Sequence, residues 1–508
     1  MSLFRSVFTV GFYTFLSRIS GYMRDILMAS HLGTSHLADA FNVAFKLPNF
    51  FRNIFADGAL NAAFVPIFTA KLTNEGRDKA LNFGGKVVTI LLLSLICVVG
   101  LFEIFMPQIM KVLAMGFHID KEKFALAVLF GRITFPYLLF ISITTVYAGI
   151  MNSFGKFAVA AAIPILMNIC MIIAVVFFSK HSTSPAHALA FGLFMAGILQ
   201  LVSIIYASRR AGIILTFTKP KIDKDLRLMF RNMVPGIIGS SITQINLWVG
   251  TIIATNISGA VSILYYAERL NQFPLAIIGI ALGTILLPTL TRQLREKEFD
   301  KAVITQNKAL EISLFLTLPC AFALVLIGRE IIQVLYERAA FTSIDTLHVS
   351  IALGYLALGL PAFVIIRIFT PRFFASLDTK TPVRISLISV TINIVLSYLL
   401  SKQFSFAGIA FASAVSGWVS AILLGYFLFK KHSFYFIAKF FVKIFLILIA
   451  ATFMAIILLS YKYFAYDYMY LLLGSKILNL FFMIFCGSLS YFLVAYLLNI
   501  ITISDFRR

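Results

Sequence analysis

Residues 16–33 read LSRISGYMRDILMASHLG, and they place charged side chains inside a segment long enough to cross a bilayer. The surrounding apolar stretch, residues 4–32, exceeds the roughly 20 residues that a helix needs to span the hydrocarbon core. Arg18, Arg24 and Asp25 therefore fall at membrane depth. A charge there costs at least about 2.5–3.5 kcal/mol, so such residues usually face a partner or a polar cavity.

The rest of the chain repeats this apolar pattern. Its 508 residues are 60% hydrophobic and only 13% charged, with a mean hydropathy of +0.95. A soluble chain would carry roughly 25% charged residues. We therefore predict an all-α, polytopic membrane protein with about fourteen transmembrane helices. The candidate spans are residues 4–32, 37–69, 86–108, 124–150, 157–179, 186–208, 229–255, 260–290, 309–328, 346–375, 383–400, 406–429, 440–461 and 476–499.

The net charge of +22 is explained by topology. With both termini in the cytoplasm, most of the 43 Lys and Arg residues fall in cytoplasmic segments, in runs such as residues 209–231, 292–308 and 430–443. This asymmetry follows the positive-inside rule. It predicts cytoplasmic N- and C-termini, and it removes the reason to expect nucleic acid as a partner.

The spans group into two lobes. We predict an N-lobe of six spans over residues 1–210 and a C-lobe of six spans over residues 229–430. A basic cytoplasmic linker, residues 211–228, joins the lobes, and residues 431–508 hold a C-terminal helix pair.

A faint internal repeat supports the two lobes. Residues 44–69 read AFKLPNFFRNIFADGALNAAFVPIFT, and residues 266–291 read YAERLNQFPLAIIGIALGTILLPTLT. Both contain a basic residue followed by Leu, then Asn and Phe, a glycine midway, and a closing Pro-x-apolar-Thr. Each is the second span of its lobe, so the repeat is parallel. Transporters built this way bind substrate between their halves, which predicts a central cavity.

Charged side chains concentrate in three spans. Besides those of span one, they are Asp39, Lys46, Arg52 and Asp57 in span two, and Glu268 and Arg269 in span eight. A guanidinium stays charged at physiological pH and offers a planar fork that suits phosphate oxygens. The arginines therefore favour a phosphate or pyrophosphate ligand. We assign substrate binding to Arg24, Arg52 and Arg269, with Arg18 as a fourth candidate.

Each assignment has a structural alternative. Arg18 and Asp25 lie seven residues apart, nearly on one helix face, and are candidates for an ion pair. Asp39, near the outer end of span two, suits either a gate-closing salt bridge or a solvated cap. Arg372, at the cytoplasmic end of span ten, is placed to snorkel to lipid headgroups. Asp25, Asp39, Asp57 and Glu268 are assigned to gating or ion pairing.

The sequence gives little reason to predict an enzyme or a metal site. The seven histidines are scattered, and no His, Asp or Glu cluster shows the spacing of a metal site or an acid–base pair. The four cysteines fall in apolar spans at unrelated spacings. We therefore expect no cofactor, no metal and no enzymatic activity.

In its motifs the chain resembles the MurJ (MviN-type) lipid II flippases of the multidrug/oligosaccharidyl-lipid/polysaccharide exporter superfamily. The resemblance covers essentially the whole chain. It is strongest in SRISGYMRDILMASHLG, ADAFNVAFKLPNFFRNIFADGALNAAFVPIF, YYAERLNQFPLAIIGIALGTILLP and FFASLDTKTPVRIS. It implies fourteen helices, alternating access to a cationic cavity, and transfer of the undecaprenyl-pyrophosphate-linked peptidoglycan precursor lipid II across the bacterial cytoplasmic membrane.

The resemblance also carries site residues and partners. The essential arginines of the family fall on Arg18, Arg24, Arg52 and Arg269, and its acidic positions on Asp25, Asp39 and Asp57. The implied partners are lipid II, the bilayer and other cell-wall synthesis proteins.

One departure concerns the driving force. Some members resemble sodium-coupled transporters with a carboxylate in span seven, but residues 247–254 contain no acid. No sodium site is therefore predicted, and the membrane potential is the simpler driving force.

Three alternatives stay open at this point. One is a flippase for another polyprenyl-linked oligosaccharide, which the arginines would serve equally well. The second, from a different class, is a membrane enzyme that acts on such a lipid. The third is a scaffold for other cell-wall proteins, which leaves the buried arginines unexplained.

Overall fold

The computed structural model describes residues 3–216, 223–432 and 434–500. Within these residues every regular element is a helix, which confirms the predicted all-α fold. Nine helical stretches of the described chain are long and apolar enough to cross a membrane. Helices also cover all of the predicted spans, which is consistent with fourteen crossings.

The first of two compact units comprises Met1–Ser262 and Arg338–Phe341. In it α1 packs along α7, α2 packs on α5, and α6 packs on α8. The helices of this unit are α1 (Leu3–Leu32), α2 (His36–Phe51), α3 (Asn61–Asn74), α4 (Arg77–Leu113), α5 (Lys121–Thr134), α6 (Tyr137–Ser153), α7 (Phe157–Ile173), α8 (Pro185–Arg210) and α9 (Lys224–Ala254).

Span two is deformed at a defined place. Pro48 lies inside α2 and has no N–H to donate to the carbonyl of Ala44, four residues earlier. The hydroxyl of Thr134 lies 3.2 Å from that carbonyl, although its shorter contact, at 2.8 Å, is with the carbonyl of Phe130. A π-helical segment, Arg52–Leu60, then joins α2 to α3. Such widened turns are frequent at functional sites, and this one begins at a predicted substrate residue.

The second unit comprises Ile263–Glu337 and Thr342–Arg508. Its core includes α11 packed on α16, and α16 packed on α18. The remaining helices, the first of which begins just before this unit, are α10 (Ala260–Arg295), α11 (Phe299–Leu326), α12 (Gly328–Tyr336), α13 (Ser343–Leu358), α14 (Leu360–Ala375), α15 (Lys380–Lys431), α16 (Ala438–Ser460), α17 (Tyr466–Leu473) and α18 (Lys476–Leu497).

Spans eleven and twelve form one long element, α15. Its helical path breaks at Ser405, where φ is +55°, and the chain reverses there. The glycine three residues on is required, because a Cβ at Gly408 would lie 2.4 Å from the carbonyl oxygen of Leu400. This close approach lets two membrane-length segments join with almost no loop.

Within the second unit, the C-terminal helix pair is held to α11 by polar bonds as well as apolar packing. The hydroxyl of Tyr491 donates to the carbonyl of Phe315 at 2.7 Å. Lys443 pairs with Glu311 at 2.7 Å.

The two compact units do not coincide with the predicted lobes. The helix α9, which the sequence assigned to the C-lobe, packs against the π-helical segment and lies in the first unit. The helix α2 contacts α9 as well, since Lys46 Nζ donates to Thr251 Oγ1 at 3.0 Å. The division into two six-helix lobes around a central cavity stays a prediction.

Candidate functional site

Arg24 and Asp25 form a buried ion pair in the C-terminal half of α1. Each is only 1% exposed. The guanidinium of Arg24 donates to Asp25 Oδ1 from Nη2 at 2.7 Å and from Nε at 3.0 Å. Its Nη1 donates to Asn168 Oδ1 at 3.0 Å. The alternative pair between Arg18 and Asp25 is not formed among the described residues, and Arg18 is half-buried.

Asn168 is a site residue that the sequence analysis missed. It lies in α7, is 3% exposed, and donates from Nδ2 to the carbonyl of Ser17 and to Ser20 Oγ, each at 3.0 Å. A signal for it existed, because an amide in the apolar segment FAVAAAIPILMNICMII is costly unless it is bonded. Its partners were out of reach of sequence reasoning, since they lie on another helix.

Arg52 and Arg269 are both half-buried, one in each unit. Arg52 opens the π-helical segment and donates from Nη2 to Asn53 Oδ1 at 3.3 Å. The guanidinium carbon of Arg269 lies 5.6 Å from the centroid of the Tyr265 ring, within the range of a cation–π interaction. Their role in binding substrate stays a prediction.

Two further acidic candidates are Glu268 and Asp57. Glu268 is half-buried in α10 beside Arg269. The side chain of Asp57 lies outside the described part of the structure. Their assignment to gating or ion pairing also stays a prediction.

Asp39 is fully buried and fully bonded, so the solvated-cap alternative is wrong. Lys123 Nζ lies 2.6 Å from Asp39 Oδ2. The carboxylate also accepts the backbone N–H groups of Gly259 and Ser262, each at 2.9 Å, and the hydroxyl of Ser262 at 2.8 Å. It therefore caps the first turn of α10, where a negative charge is favoured by the helix dipole.

Lys123 was not singled out from the sequence. It precedes span four by one residue, and nothing in its neighbourhood distinguishes it from a solvated lysine. In the structure it is 5% exposed, and its ammonium also lies 4.3 Å from the centroid of the Phe117 ring.

Arg372 does not snorkel to headgroups, because it is 1% exposed. It lies in the last turn of α14, and its Nη2 donates to the carbonyl of His432, just past the end of α15. Two helix C-termini, each with roughly half a negative charge, thus face one guanidinium. Burial lowers the pKa of His432 against the opposing effect of the Asp378 carboxylate, and the charge of Arg372 adds to the lowering. We interpret Arg372 as a structural cap.

The fold is one that known membrane transporters share, multidrug exporters among them. A solved structure, the inward-facing conformation of a multidrug resistance MATE family transporter of the MOP superfamily, superposes with a TM-score of 0.71. The alignment covers 82% of this chain and 94% of the transporter at 13% identity, so it shows the fold alone.

The particular family follows from the sequence. The family model described as lipid II flippase MurJ matches residues 28–482. The chain is 39% identical over 511 residues to a probable lipid II flippase MurJ of Rickettsia prowazekii, with 99% of each chain covered. It is 42% identical over 429 residues to a protein of the same description from Rhizobium meliloti, with 84% of this chain and 80% of the relative covered.

A solved structure agrees. The lipid II flippase MurJ in an inward closed conformation superposes with a TM-score of 0.82 at 27% identity, over 98% of this chain and 99% of that one. The chain belongs to the lipid II flippase MurJ family, which confirms the resemblance found in its sequence.

Proposed function

We propose that this protein flips lipid II from the inner to the outer leaflet of the bacterial cytoplasmic membrane by alternating access. The observation that carries the proposal is the family match over residues 28–482. The buried arginines of an all-helical membrane protein support it, because they suit the pyrophosphate of that lipid. As a flippase, the protein is a transporter and not an enzyme.

The pyrophosphate is held by Arg24, Arg52 and Arg269, with Arg18 as a fourth contact. Arg52 and Arg269 are half-buried, and Arg24 is buried in α1. In alternating access, the same cationic groups face each side of the membrane in turn. Both chain termini lie in the cytoplasm in this proposal, as the basic cytoplasmic segments require. Contacts with other cell-wall synthesis proteins belong to the proposal too.

The proposal is tested by depletion–complementation. Cells depleted of their own lipid II flippase receive this chain, and lipid II exposed on the outer face is scored. We expect outer-face lipid II to be restored. Its absence at a normal protein level would contradict the function.

Vesicles that contain the purified protein separate the alternatives. Lipid II should cross the bilayer chemically unchanged, whereas a membrane enzyme would convert it. A polyprenyl-linked oligosaccharide with a different sugar should cross more slowly. Equal or faster transfer of that lipid would instead identify a flippase for another cargo.

The membrane potential is expected to accelerate flipping. Moving one charge through 100 mV is worth about 2.3 kcal/mol, and with the interior negative an anionic headgroup moves outward downhill. An imposed inside-negative potential in vesicles should therefore raise the outward rate, and collapsing it with an ionophore should abolish the gain. Flipping that ignores the imposed potential would refute this driving force but leave the substrate unchanged.

A further inference from the structure

Three of the five N–H groups of the Arg24 guanidinium donate to side-chain oxygens of Asp25 and Asn168, and the residue is only 1% exposed. Nε and Nη2 donate to Asp25 Oδ1, and Nη1 donates to Asn168 Oδ1. A phosphate group offers acceptors of the same kind, and charged ones. A phosphate is held best by two N–H groups of one edge of the fork, either Nε with Nη2 or Nη1 with Nη2, and each edge includes a nitrogen that already donates to Asp25 or Asn168. To bind pyrophosphate in this bidentate way, Arg24 must therefore exchange at least one of these partners for a phosphate oxygen.

Asp25 and Asn168 differ in how they can be exchanged. Asp25 is the next residue of the same helix, so it moves with Arg24. Asn168 lies on α7, and its bond to Arg24 depends on the packing of α1 along α7. An amide oxygen is also a weaker acceptor for a guanidinium than a carboxylate or phosphate oxygen. Asn168 is therefore the partner that a phosphate would displace.

The orientation of the Asn168 amide is determined by its surroundings. The carbonyl oxygen of Ser17 can only accept a hydrogen bond, so the amide nitrogen must face it, at 3.0 Å. Ser20 Oγ binds the same nitrogen at 3.0 Å. With the nitrogen held by α1 on one side, the oxygen is aimed at Arg24.

We infer that Asn168 is a positioning residue whose amide oxygen competes with the pyrophosphate for Arg24. It holds the guanidinium in the substrate-free protein, gives it up on binding, and takes it back when the lipid is released. The inference rests on the proposed function, because it deepens the role assigned to Arg24. Asn168 itself need not touch the substrate.

Asn168→Ala removes the competing oxygen. A phosphate then no longer has to displace it, so lipid II should bind the full-length protein in detergent about tenfold more tightly, the worth of one hydrogen bond to a charged group. Release slows correspondingly, and the flipping rate in vesicles should fall. A merely structural role would weaken binding and flipping together.

The matched control is Ser20→Ala. It removes one of the two bonds to the Asn168 nitrogen and leaves the oxygen opposite Arg24. Lipid II affinity should stay within about twofold of the wild-type value, as expected for loss of a replaceable bond.

A double-mutant cycle shows whether Asn168 acts through Arg24. In an Arg24→Ala background, Asn168→Ala should leave lipid II affinity unchanged. The inference is overturned if Asn168→Ala fails to tighten binding, or if it changes affinity by the same factor in both backgrounds. If the wild-type protein does not bind lipid II at all, it is the proposed function that fails.

Discussion

Replacing Arg24, Arg52 or Arg269 by alanine is expected to lower the rate of lipid II flipping about 100-fold, because each change removes a charge-assisted bond to the pyrophosphate that is worth about 3 kcal/mol. The measurement is transfer of lipid II across vesicles that contain each purified variant, together with outer-face lipid II after depletion of the host flippase. Lysine at the same positions keeps the charge but loses the planar fork, so about a tenfold loss is expected.

Arg132→Ala is the matched control. Arg132 is another arginine of a predicted span, but it is exposed and donates from Nε to the backbone carbonyl of Glu103. Its replacement should leave flipping within about twofold of the wild-type rate. Full activity of all three variants at normal protein levels would remove the pyrophosphate assignment.

Arg24→Ala has a second consequence, because it leaves the buried Asp25 carboxylate without its guanidinium. Removing one partner of a buried pair costs about 3–5 kcal/mol of stability. The double variant Arg24→Ala/Asp25→Asn removes both charges and should recover much of that loss. Flipping that stays low in the double variant would separate the loss of binding from the loss of stability.

The fold was largely predictable from hydropathy. In lipid every backbone N–H and C=O group must be hydrogen-bonded within the protein. An apolar stretch of membrane length is therefore expected to form a helix. What hydropathy could not show was the local departures, such as the π-helical segment Arg52–Leu60 and the reversal at Ser405 inside α15. Both depend on a few backbone bonds rather than on side-chain polarity.

The site was predictable in its residue types but not in its partners. Arg24 and Asp39 could be selected from the sequence because a charged side chain at membrane depth is costly and is usually functional. Their partners Asn168 and Lys123 lie 144 and 84 residues away along the chain. Periodicity cannot select such partners. It suggested Arg18 for Asp25, whereas the flexible guanidinium of Arg24 folds back onto its neighbour.

The same limit explains the error at Arg372. From sequence alone, an arginine at the end of a span is predicted to face lipid headgroups, because the helix that packs beside it is not known. Here the end of α15, about 60 residues further along, covers the side chain.

Breaking the buried pair of Asp39 and Lys123 is expected to have the largest effect on stability. Asp39→Asn leaves a buried ammonium without its carboxylate and should lower the free energy of unfolding by about 3–5 kcal/mol. Lys123→Met should cost less, because three donors from Gly259 and Ser262 still hold the carboxylate. The measurement is unfolding of the full-length protein in mixed micelles by a denaturing detergent.

The double variant Asp39→Asn/Lys123→Met should lose clearly less than the sum of the single losses, since neither charge is then left alone. Lys86→Met is the control of equal chemistry. It breaks a 2.7 Å pair with Asp223 in which both side chains are about 30% exposed, so the cost should stay below about 1 kcal/mol. Additive losses, or an equal cost for Lys86→Met, would show that burial of the Asp39 pair does not matter.

The proposed gating role of Asp39 predicts a second property of the Asp39→Asn variant. A gating carboxylate must exchange its bonds to the first turn of α10 in each cycle, so weakening them should shift the population of closed and open states. Asn42, fully buried and bonded to Ser262 Oγ at 3.1 Å, offers a probe there. With the native cysteines replaced, Asn42→Cys should react faster with a membrane-impermeant thiol reagent when Asp39→Asn is present. A stability loss without faster labelling would make Asp39 a structural residue and end its assignment to the gate.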